Sequence, residues 1–305
     1  MSYQFITQKK ITVQHTELMY AIGNTIRNGG PGRDEFETFT VHINRLGELI
    51  SQNMLEPAVL EALTKDCQFL MDTESIMGHI RQKPFGYAGD FYIIDRIYTR
   101  QGSQQYSKWD DFSLENAAAE AVRNRKAYFK QCMRKRLKGD ASLLNIASGP
   151  ARDLYELLQE QPNPQLSVTC VEMDANAIEF AKKLNSRFLH QIEFVERNIF
   201  RFQTSKQYDV IWSAGLFDYF DDRAFVLLLQ RFGQWLKPGG EIIIGNFNDD
   251  HNPSRTFMEV FGDWNLNHRS ERHLIDLARQ AGYSEANIYV GREPENVNLF
   301  LHISK

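Results

Sequence analysis

The hydrophobic pattern divides the chain into two parts that meet near residue 140. From about residue 17 to residue 137, apolar residues recur at steps of three and four, the spacing that buries one face of an α-helix; Leu46, Leu49 and Ile50 are one such set. Segments rich in glycine and proline at residues 28–32 and 83–90 predict breaks between these helices. The sequence therefore predicts an α-helical region over residues 1–140.

After residue 140, short apolar runs alternate with helical patterns. The candidate strands are residues 142–147, 167–172, 192–196, 210–214, 241–246, 286–290 and 298–303. We expect helices between the first six of them, for example at residues 152–159, 175–184, 223–236 and 272–281. Strands separated by helices pair in parallel in a sheet that is covered on both faces. Only residues 291–297 separate the last two strands, which should form a hairpin with the final strand antiparallel at or near the sheet edge.

The fold class that follows is α/β, with a doubly wound, Rossmann-like, seven-stranded mixed sheet after an N-terminal α-helical region. We assign residues 1–140 to a helical region that serves as lid and substrate wall. Residues 141–305 form the predicted catalytic domain.

Composition and charge are those of an ordinary globular protein. The chain has 305 residues, a formal net charge of −4, 42% hydrophobic residues and 24% charged residues. A protein that coats nucleic acid is usually strongly basic, so DNA is not an expected partner. No run of about 18 apolar residues is present, and the first residues lack the apolar stretch of a secretory signal. We expect a cytoplasmic protein without a membrane span.

Cysteine and histidine spacing gives no sign of a structural metal. Cys67, Cys132 and Cys170 are too few and too far apart for a disulfide framework, and no Cys-x-x-Cys pair is present. The eight histidines include no His-Glu-x-x-His motif. No metal is predicted.

The loop after the first predicted strand carries the clearest chemistry. Small residues stand at Ala147, Gly149 and Ala151, and a helix begins at Arg152. Such a loop lets a ligand approach the backbone, and the helix start offers free amide hydrogens to anionic groups. Ligands bind at this first crossover of an open α/β sheet. A dinucleotide fingerprint would have glycine where Arg152 stands, which disfavours a nicotinamide cofactor.

Later strand ends carry further landmarks. Glu172 ends the second predicted strand about 20 residues beyond the loop, where a carboxylate can accept hydrogen bonds from both hydroxyls of a ribose, and Asp174 is the alternative. Asn198 and Ile199 follow the third strand. The fourth predicted strand ends through Trp212 and Ser213, and residues 236–241 form the turn before the fifth.

Taken in this order, the loop and the strand ends resemble the motifs of class I S-adenosylmethionine-dependent methyltransferases. Asn145 stands where the family usually has an acidic residue, and Ala147 and Ala151 stand where it often has glycine. The resemblance implies S-adenosylmethionine as cofactor, Glu172 as the ribose-binding acid and Asn198 near the adenine. The candidate cofactor-binding residues are Asn145, Ala147, Ser148, Gly149, Pro150, Asp153, Glu172, Asp174, Asn198, Ile199 and Ser213.

Three further segments, residues 86–90, 246–247 and 263–269, resemble a bacterial subgroup of these enzymes that is assigned to the synthesis of 3-hydroxy fatty acid methyl esters, which are signalling molecules. The resemblance implies O-methylation of a small lipophilic acceptor such as a hydroxy fatty acid carboxylate.

The acceptor's chemistry decides which catalytic residues are needed. A carboxylate is ionised at neutral pH and needs only a cation or a hydrogen-bond donor to position it, for which Arg269, Arg255 and Tyr87 are candidates. A hydroxyl or an amine needs a general base. For that role the candidates are His251, His268 and Asp218, with Tyr219 beside it.

Each of these residues also has a structural alternative. Asp218 could cap the helix predicted near Asp221, and His268 with Arg269 could be a buried pair near a tryptophan. Tyr87 lies in a segment that is equally an inter-helix turn. Asp249, Asp250 and His251 could hold a divalent ion, but a solvated loop is the preferred interpretation.

Eight basic residues lie close together between Arg123 and Lys138. A solvated helix face is the preferred interpretation, and a surface for an acidic partner, such as a carrier protein bearing an acyl group or an RNA, is the alternative. A homodimer is also open. Two other functions stay open: a catalytically silent binding protein with this fold and a nicotinamide-dependent oxidoreductase.

Overall fold

The structure of the protein is a computed structural model that describes residues 2–55, 57–65 and 67–305. The chain forms two compact units. The first unit contains residues up to Gly89 together with Arg100–Ala118 and Pro253–Asn265, and the second contains Asp90–Thr99, Ala119–Asn252 and Leu266–Lys305.

The helices follow the predicted periodicity. Their bounds are α1 Ser2–Arg27, α2 Phe36–Ser51, α3 Pro57–Lys65, α4 Ile76–Gln82, α5 Phe91–Thr99, α6 Ser107–Glu115, α7 Ala117–Arg136, α8 Arg152–Glu160, α9 Ala175–Leu184, α10 Asp222–Trp235, α11 Arg255–Gly262 and α12 Glu271–Gln280. Both predicted breaks are found: residues 28–32 separate α1 from α2, and residues 83–90 separate α4 from α5. No helix among the described residues is long and apolar enough to cross a membrane.

Aromatic side chains form the core of the first unit. Phe69 stacks on Trp109 with ring centroids 4.0 Å apart, and Phe112 packs edge-on against Phe39 and Phe257. These residues come from α2, α6, α11 and the short 3-10 helix Gln68–Leu70. Residues far apart in sequence therefore share one apolar core.

The second unit is built on a seven-stranded sheet. The strands are β1 Ser142–Ile146, β2 Ser167–Glu172, β3 Ile192–Glu196, β4 Tyr208–Ser213, β5 Leu236–Phe247, β6 Ile288–Arg292 and β7 Asn298–Ser304. Their order is β3-β2-β1-β4-β5-β7-β6. The pairs among β1 to β5 are parallel, whereas β7 is antiparallel to both β5 and β6. The chain crosses over between β1 and β4, which is where ligands bind in open α/β sheets.

Helices cover both faces of this sheet. On one face α10 and α12 contribute Phe225, Leu228, Phe232, Leu274 and Leu277 to a buried cluster. On the other face α7, α8 and α9 contribute a second set: Phe129, Met133, Leu154, Leu157, Leu158 and Ala181. The predicted fold class, a doubly wound mixed sheet with helices before the first strand, is confirmed.

Three details differ from or refine the prediction. Residues 197–207, all of which the structure describes, contain no helix between β3 and β4, because only a short turn starting at Asn198 connects them. The final hairpin is present, but β6 forms the sheet edge and β7 lies one strand inside it. Two helices from before residue 140 belong with the sheet: α5 and most of α7 are part of the second unit.

Candidate active site

The loop between β1 and α8 has an unusual backbone. Ala147, Gly149 and Ala151 adopt left-handed conformations with φ of +51°, +52° and +48°. Larger side chains are strained in this region, which explains why small residues alternate here. A Cβ at Gly149 would meet no atom of the described residues within 4 Å. The outer side of the loop is therefore open to a ligand.

Glu172 at the end of β2 fixes this loop. Its Oε2 accepts a hydrogen bond from the Gly149 amide at 3.0 Å, and its Oε1 accepts from the amides of Met173 at 2.7 Å and Asp174 at 3.1 Å. Burial raises the pKa of the Glu172 carboxyl, and these three amides counteract the rise. Asp174, the alternative acid, caps α9 by accepting from the Asn176 amide at 2.8 Å.

A short segment that contains Asn198 and Ile199 follows β3. The Asn198 Oδ1 accepts from the Phe200 amide at 2.9 Å, and its Nδ2 lies 3.9 Å from the Met173 sulfur. Ile199 is buried, whereas the Met173 side chain is 62% exposed. Sequence reasoning missed Met173, although its place directly after the acidic strand end was a usable signal.

Several buried polar atoms at the carboxyl ends of β1 and β4 lack hydrogen-bond partners within the described part of the chain. They are the Asn145 Nδ2, the Ser148 Oγ and the Ser213 Oγ. Asn145 lies opposite Trp212 in the β1–β4 pairing, one residue before Ser213. Leaving a buried polar group unpaired costs about 1–3 kcal/mol, so a donor or acceptor from outside the chain would stabilise this site. Pro150 in the same loop is buried and Ala147 is exposed.

A buried guanidinium that sequence reasoning assigned to a solvated helix face lies at the same strand ends. The Arg125 Nη1 of α7 donates to the carbonyl of Ala214, directly after β4, at 3.0 Å, and its Nη2 lies 3.5 Å from the Tyr98 hydroxyl of α5. Burial opposes the charge of Arg125, but Tyr98, Asp218 and Asp153 outweigh burial and raise the pKa of the guanidinium. Arg125 is therefore charged at the crossover between β1 and β4.

Two buried carboxylates face Arg125. Asp153 in the first turn of α8 is 8% exposed, and Asp218 after β4 is 2% exposed. Burial raises the pKa of each carboxyl to about 6, although Arg125 acts to lower both values. Asp218 does not cap α10, because Asp221 does so through the Ala224 amide.

Arg269 is held inside the unit. It is 1% exposed, and its guanidinium donates to the carbonyls of Phe217 and Phe220, to the Asn246 Oδ1 at 2.8 Å and to the Asp222 Oδ1 at 3.0 Å. These bonds fix the loop between β4 and α10, which carries Asp218 and the 41%-exposed Tyr219. Arg269 thus holds this loop in place.

The remaining predicted residues lie in varied places. Tyr87 is half-buried in the turn that follows α4 in the first unit, where Gly86 has a φ of +92°. His251 is exposed. The His268 ring is hydrogen-bonded to the Asn252 side chain at 2.9 Å, and Arg255 forms an ion pair with Glu259 at 2.8 Å. The described residues contain no group of three or more His, Cys, Asp or Glu side chains that could hold a metal ion.

The basic run on α7 is largely paired within the second unit. Lys126 and Lys130 both contact Glu156, and Lys130 also contacts Glu160 at 2.8 Å. The Arg136 Nε lies 3.0 Å from Glu241. Much of the charge is therefore used to hold α7 against α8 and β5, so neither of the two interpretations of the run describes its main contacts.

Comparison with known proteins agrees with this geometry. Residues 137–286, about half of the chain, match a family model described as a methyltransferase domain. No curated protein matches the sequence.

Solved structures share the fold. A possible exported protein from Bordetella parapertussis has 20% identity and a TM-score of 0.62, over 71% of this chain and 79% of its own. The S-adenosylmethionine-dependent methyltransferase SibL has 16% identity and a TM-score of 0.52, over 75% of this chain and 74% of its own. A candidate O-methyltransferase from Nostoc punctiforme has 17% identity and a TM-score of 0.52, over 78% of this chain and 71% of its own.

Proposed function

We propose that this chain, in which residues 137–286 form a methyltransferase domain, transfers a methyl group from S-adenosylmethionine to a small-molecule acceptor at the carboxyl ends of β1, β2 and β4. The chain is a methyltransferase with a Rossmann-like fold, and S-adenosylmethionine is its cofactor. The proposal concerns where the donor binds and what receives the methyl group.

The observation that carries the donor site is the left-handed loop at residues 147–151, tied to Glu172 and open above Gly149. Glu172 is proposed to bind the ribose, while Met173, Asn198 and Ile199 contact the adenine. Asn145, Ser148 and Ser213 supply polar atoms for the remainder of the donor. When bound, the donor supplies an electrophilic methyl carbon on a sulfonium. The chain has to place a nucleophile in line behind that carbon and exclude water.

Arg152 supports this donor over a dinucleotide. It stands where a dinucleotide fingerprint has glycine, and its guanidinium makes a two-point ion pair with Asp95 of α5, with one contact at 3.0 Å. The side chain therefore has a structural role at a position that a dinucleotide site would need to keep small.

As acceptor we propose a small lipophilic molecule with an oxygen nucleophile, such as a hydroxy fatty acid. The support is the resemblance of residues 86–90, 246–247 and 263–269 to the subgroup that makes 3-hydroxy fatty acid methyl esters. Such a molecule offers two oxygens, a carboxylate and a hydroxyl. A lid role for the helical region, a cytoplasmic location, a carrier-protein partner and a homodimer stay predictions.

Calorimetric titration tests the donor site. We expect micromolar binding of S-adenosylmethionine and of S-adenosylhomocysteine to the wild type. The change Gly149→Val should weaken both by at least about 100-fold, because the side chain fills the open side of the loop. Gly139→Val is the matched control, since Gly139 has a similar φ of +62° and lies before β1. Absence of wild-type binding, or equal losses in both variants, would contradict the assignment.

A further inference from the structure

Three buried charged side chains near the carboxyl ends of β1 and β4 act on one another electrostatically: Arg125 from α7, Asp153 from α8 and Asp218 from the loop after β4. We call them the buried charge cluster. The groups that face it are Tyr98 from α5, Glu156 from α8 and Arg269. Tyr98 is neutral, because burial raises the pKa of its hydroxyl above the ordinary value.

Cations act on both carboxylates of the cluster. Arg125 lowers the pKa of Asp153 and of Asp218, and Arg269, which also pairs with Asp222 at 3.0 Å, lowers the pKa of Asp218. Burial outweighs these cations, because the pKa of each carboxyl is still raised to about 6. A further anion beside the two carboxylates would therefore be unfavourable, since charges interact strongly when water is excluded.

Backbone amides hold the Asp218 carboxyl in one orientation. Its Oδ1 accepts a hydrogen bond from the Phe247 amide at 2.7 Å, and the carboxyl also interacts with the amide of Asp218 itself. Asp218 is thus a buried and oriented carboxylate in the loop after β4. Its pKa of about 6, raised by burial, makes it a stronger base than an exposed aspartate and leaves it ionised at neutral pH.

A second observation also points to a ligand here. The Arg125 Nε is buried without a hydrogen-bond partner among the residues that the structure describes, and the Arg125 side chain is 6% exposed. Unpaired polar atoms of this kind are rare in folded proteins and call for a partner from outside the chain.

Resting on the proposed function, we propose that the nucleophilic oxygen of the methyl acceptor carries a proton, as in a hydroxyl rather than a carboxylate, and that Asp218 takes this proton. For a hydroxy fatty acid, the oxygen methylated is then the hydroxyl.

The step balances without a further reactant. The acceptor oxygen forms a bond to the methyl carbon while the carbon–sulfur bond of the donor breaks and its electron pair stays on sulfur. The proton of the acceptor passes to the Asp218 carboxylate. Asp153 and Arg125 give Asp218 charged surroundings, in which a second anion is unfavourable.

The chemical stability of the product tests the acceptor class on the wild-type protein. Cell extract is incubated with the protein and methyl-labelled S-adenosylmethionine, and the labelled small molecules are treated with mild alkali. Label in an ether survives, which is the expected result. Label released as methanol comes from a carboxylate ester and overturns this inference while leaving the proposed function intact. Absence of donor binding and of any labelled product overturns both.

Asp218→Asn tests the role of the residue, because asparagine keeps an oxygen for the Phe247 amide but cannot take a proton. We expect transfer to the acceptor found above to fall at least about 100-fold while the donor Kd changes less than about threefold. The wild-type rate should also fall on acidification through about pH 6, a limb that the variant lacks. Asp221→Asn is the matched control and should keep activity, since Asp221 is an exposed helix cap. A parallel loss of donor affinity in Asp218→Asn, or an unchanged rate, contradicts the assignment.

Discussion

The donor and acceptor sides of the proposed site are built by different means. On the donor side, residues 145–153 and 172–174, the shape comes from backbone conformation within one short loop and from one carboxylate that accepts three amides. On the acceptor side, residues 214–222 and 266–270, the shape comes from side chains that reach across the unit. Arg269 contacts Asp222 over 47 residues, and Arg125 contacts Ala214 over 89. Local sequence therefore encodes the donor side, whereas tertiary packing creates the acceptor side.

The largest effect should come from the residue on which the acceptor side depends most. Arg269→Ala removes donors from two carbonyls and from Asn246 and leaves them buried. We expect the free energy of unfolding to fall by about 3–5 kcal/mol, because each unpaired buried group costs about 1–3 kcal/mol. Chemical denaturation measures the change.

A surface arginine on the neighbouring helix provides the control for this variant. The Arg272 side chain is 80% exposed and pairs with Asp276, one helical turn away. Arg272→Ala should change the free energy of unfolding by less than about 0.5 kcal/mol. If Arg269→Ala were as stable as the wild type and raised only the KM of the acceptor, Arg269 would be a substrate clamp as the sequence hypothesis had it.

This contrast explains what the sequence could and could not predict. The spacing of Ala147, Gly149 and Ala151 reflects a local backbone requirement, so residue type alone was enough to predict a loop that a ligand can approach. The position of Glu172 near that loop was predictable because Glu172 stands at the end of a strand. The burial of Arg125 could not be predicted from the sequence, because it depends on packing against the end of β4. In the sequence, Arg125 is one member of a basic run. Helical periodicity cannot distinguish a paired or buried arginine from a solvated one.

The second prediction concerns the stability cost of the buried charge cluster. Raising the pKa of Asp218 from 3.8 to about 6 costs the folded state about 3 kcal/mol at neutral pH. The cost is absent at about pH 3, where the carboxyl is protonated in both states, and complete above about pH 6. Asp218→Asn, which is neutral at every pH, should therefore be more stable than the wild type by about 2–3 kcal/mol near pH 7.5 and equal to it at about pH 3.

Denaturant titrations at the two pH values check this expectation, with Asp221→Asn as the control. Asparagine caps a helix as well as aspartate does, so that variant should differ little from the wild type at either pH. A destabilised Asp218→Asn at neutral pH would mean that the cations outweigh burial. The Asp218 carboxylate would then stabilise the loop after β4. The acceptor side would contain no residue that lowers the free energy of unfolding.

The smallest expected effect lies on the donor side and distinguishes the two acids that the sequence left open. Glu172→Gln removes the charge and replaces one acceptor oxygen with an amide that cannot accept from Gly149 or from Met173 and Asp174. We expect the affinity for S-adenosylmethionine to fall by about 1–2 kcal/mol, measured by calorimetry. Asp174→Asn keeps the cap on α9 and should alter the Kd less than about threefold. The reverse ranking would place the ribose at Asp174, and the backbone of residues 147–151 would then no longer be sufficient to locate the donor from sequence.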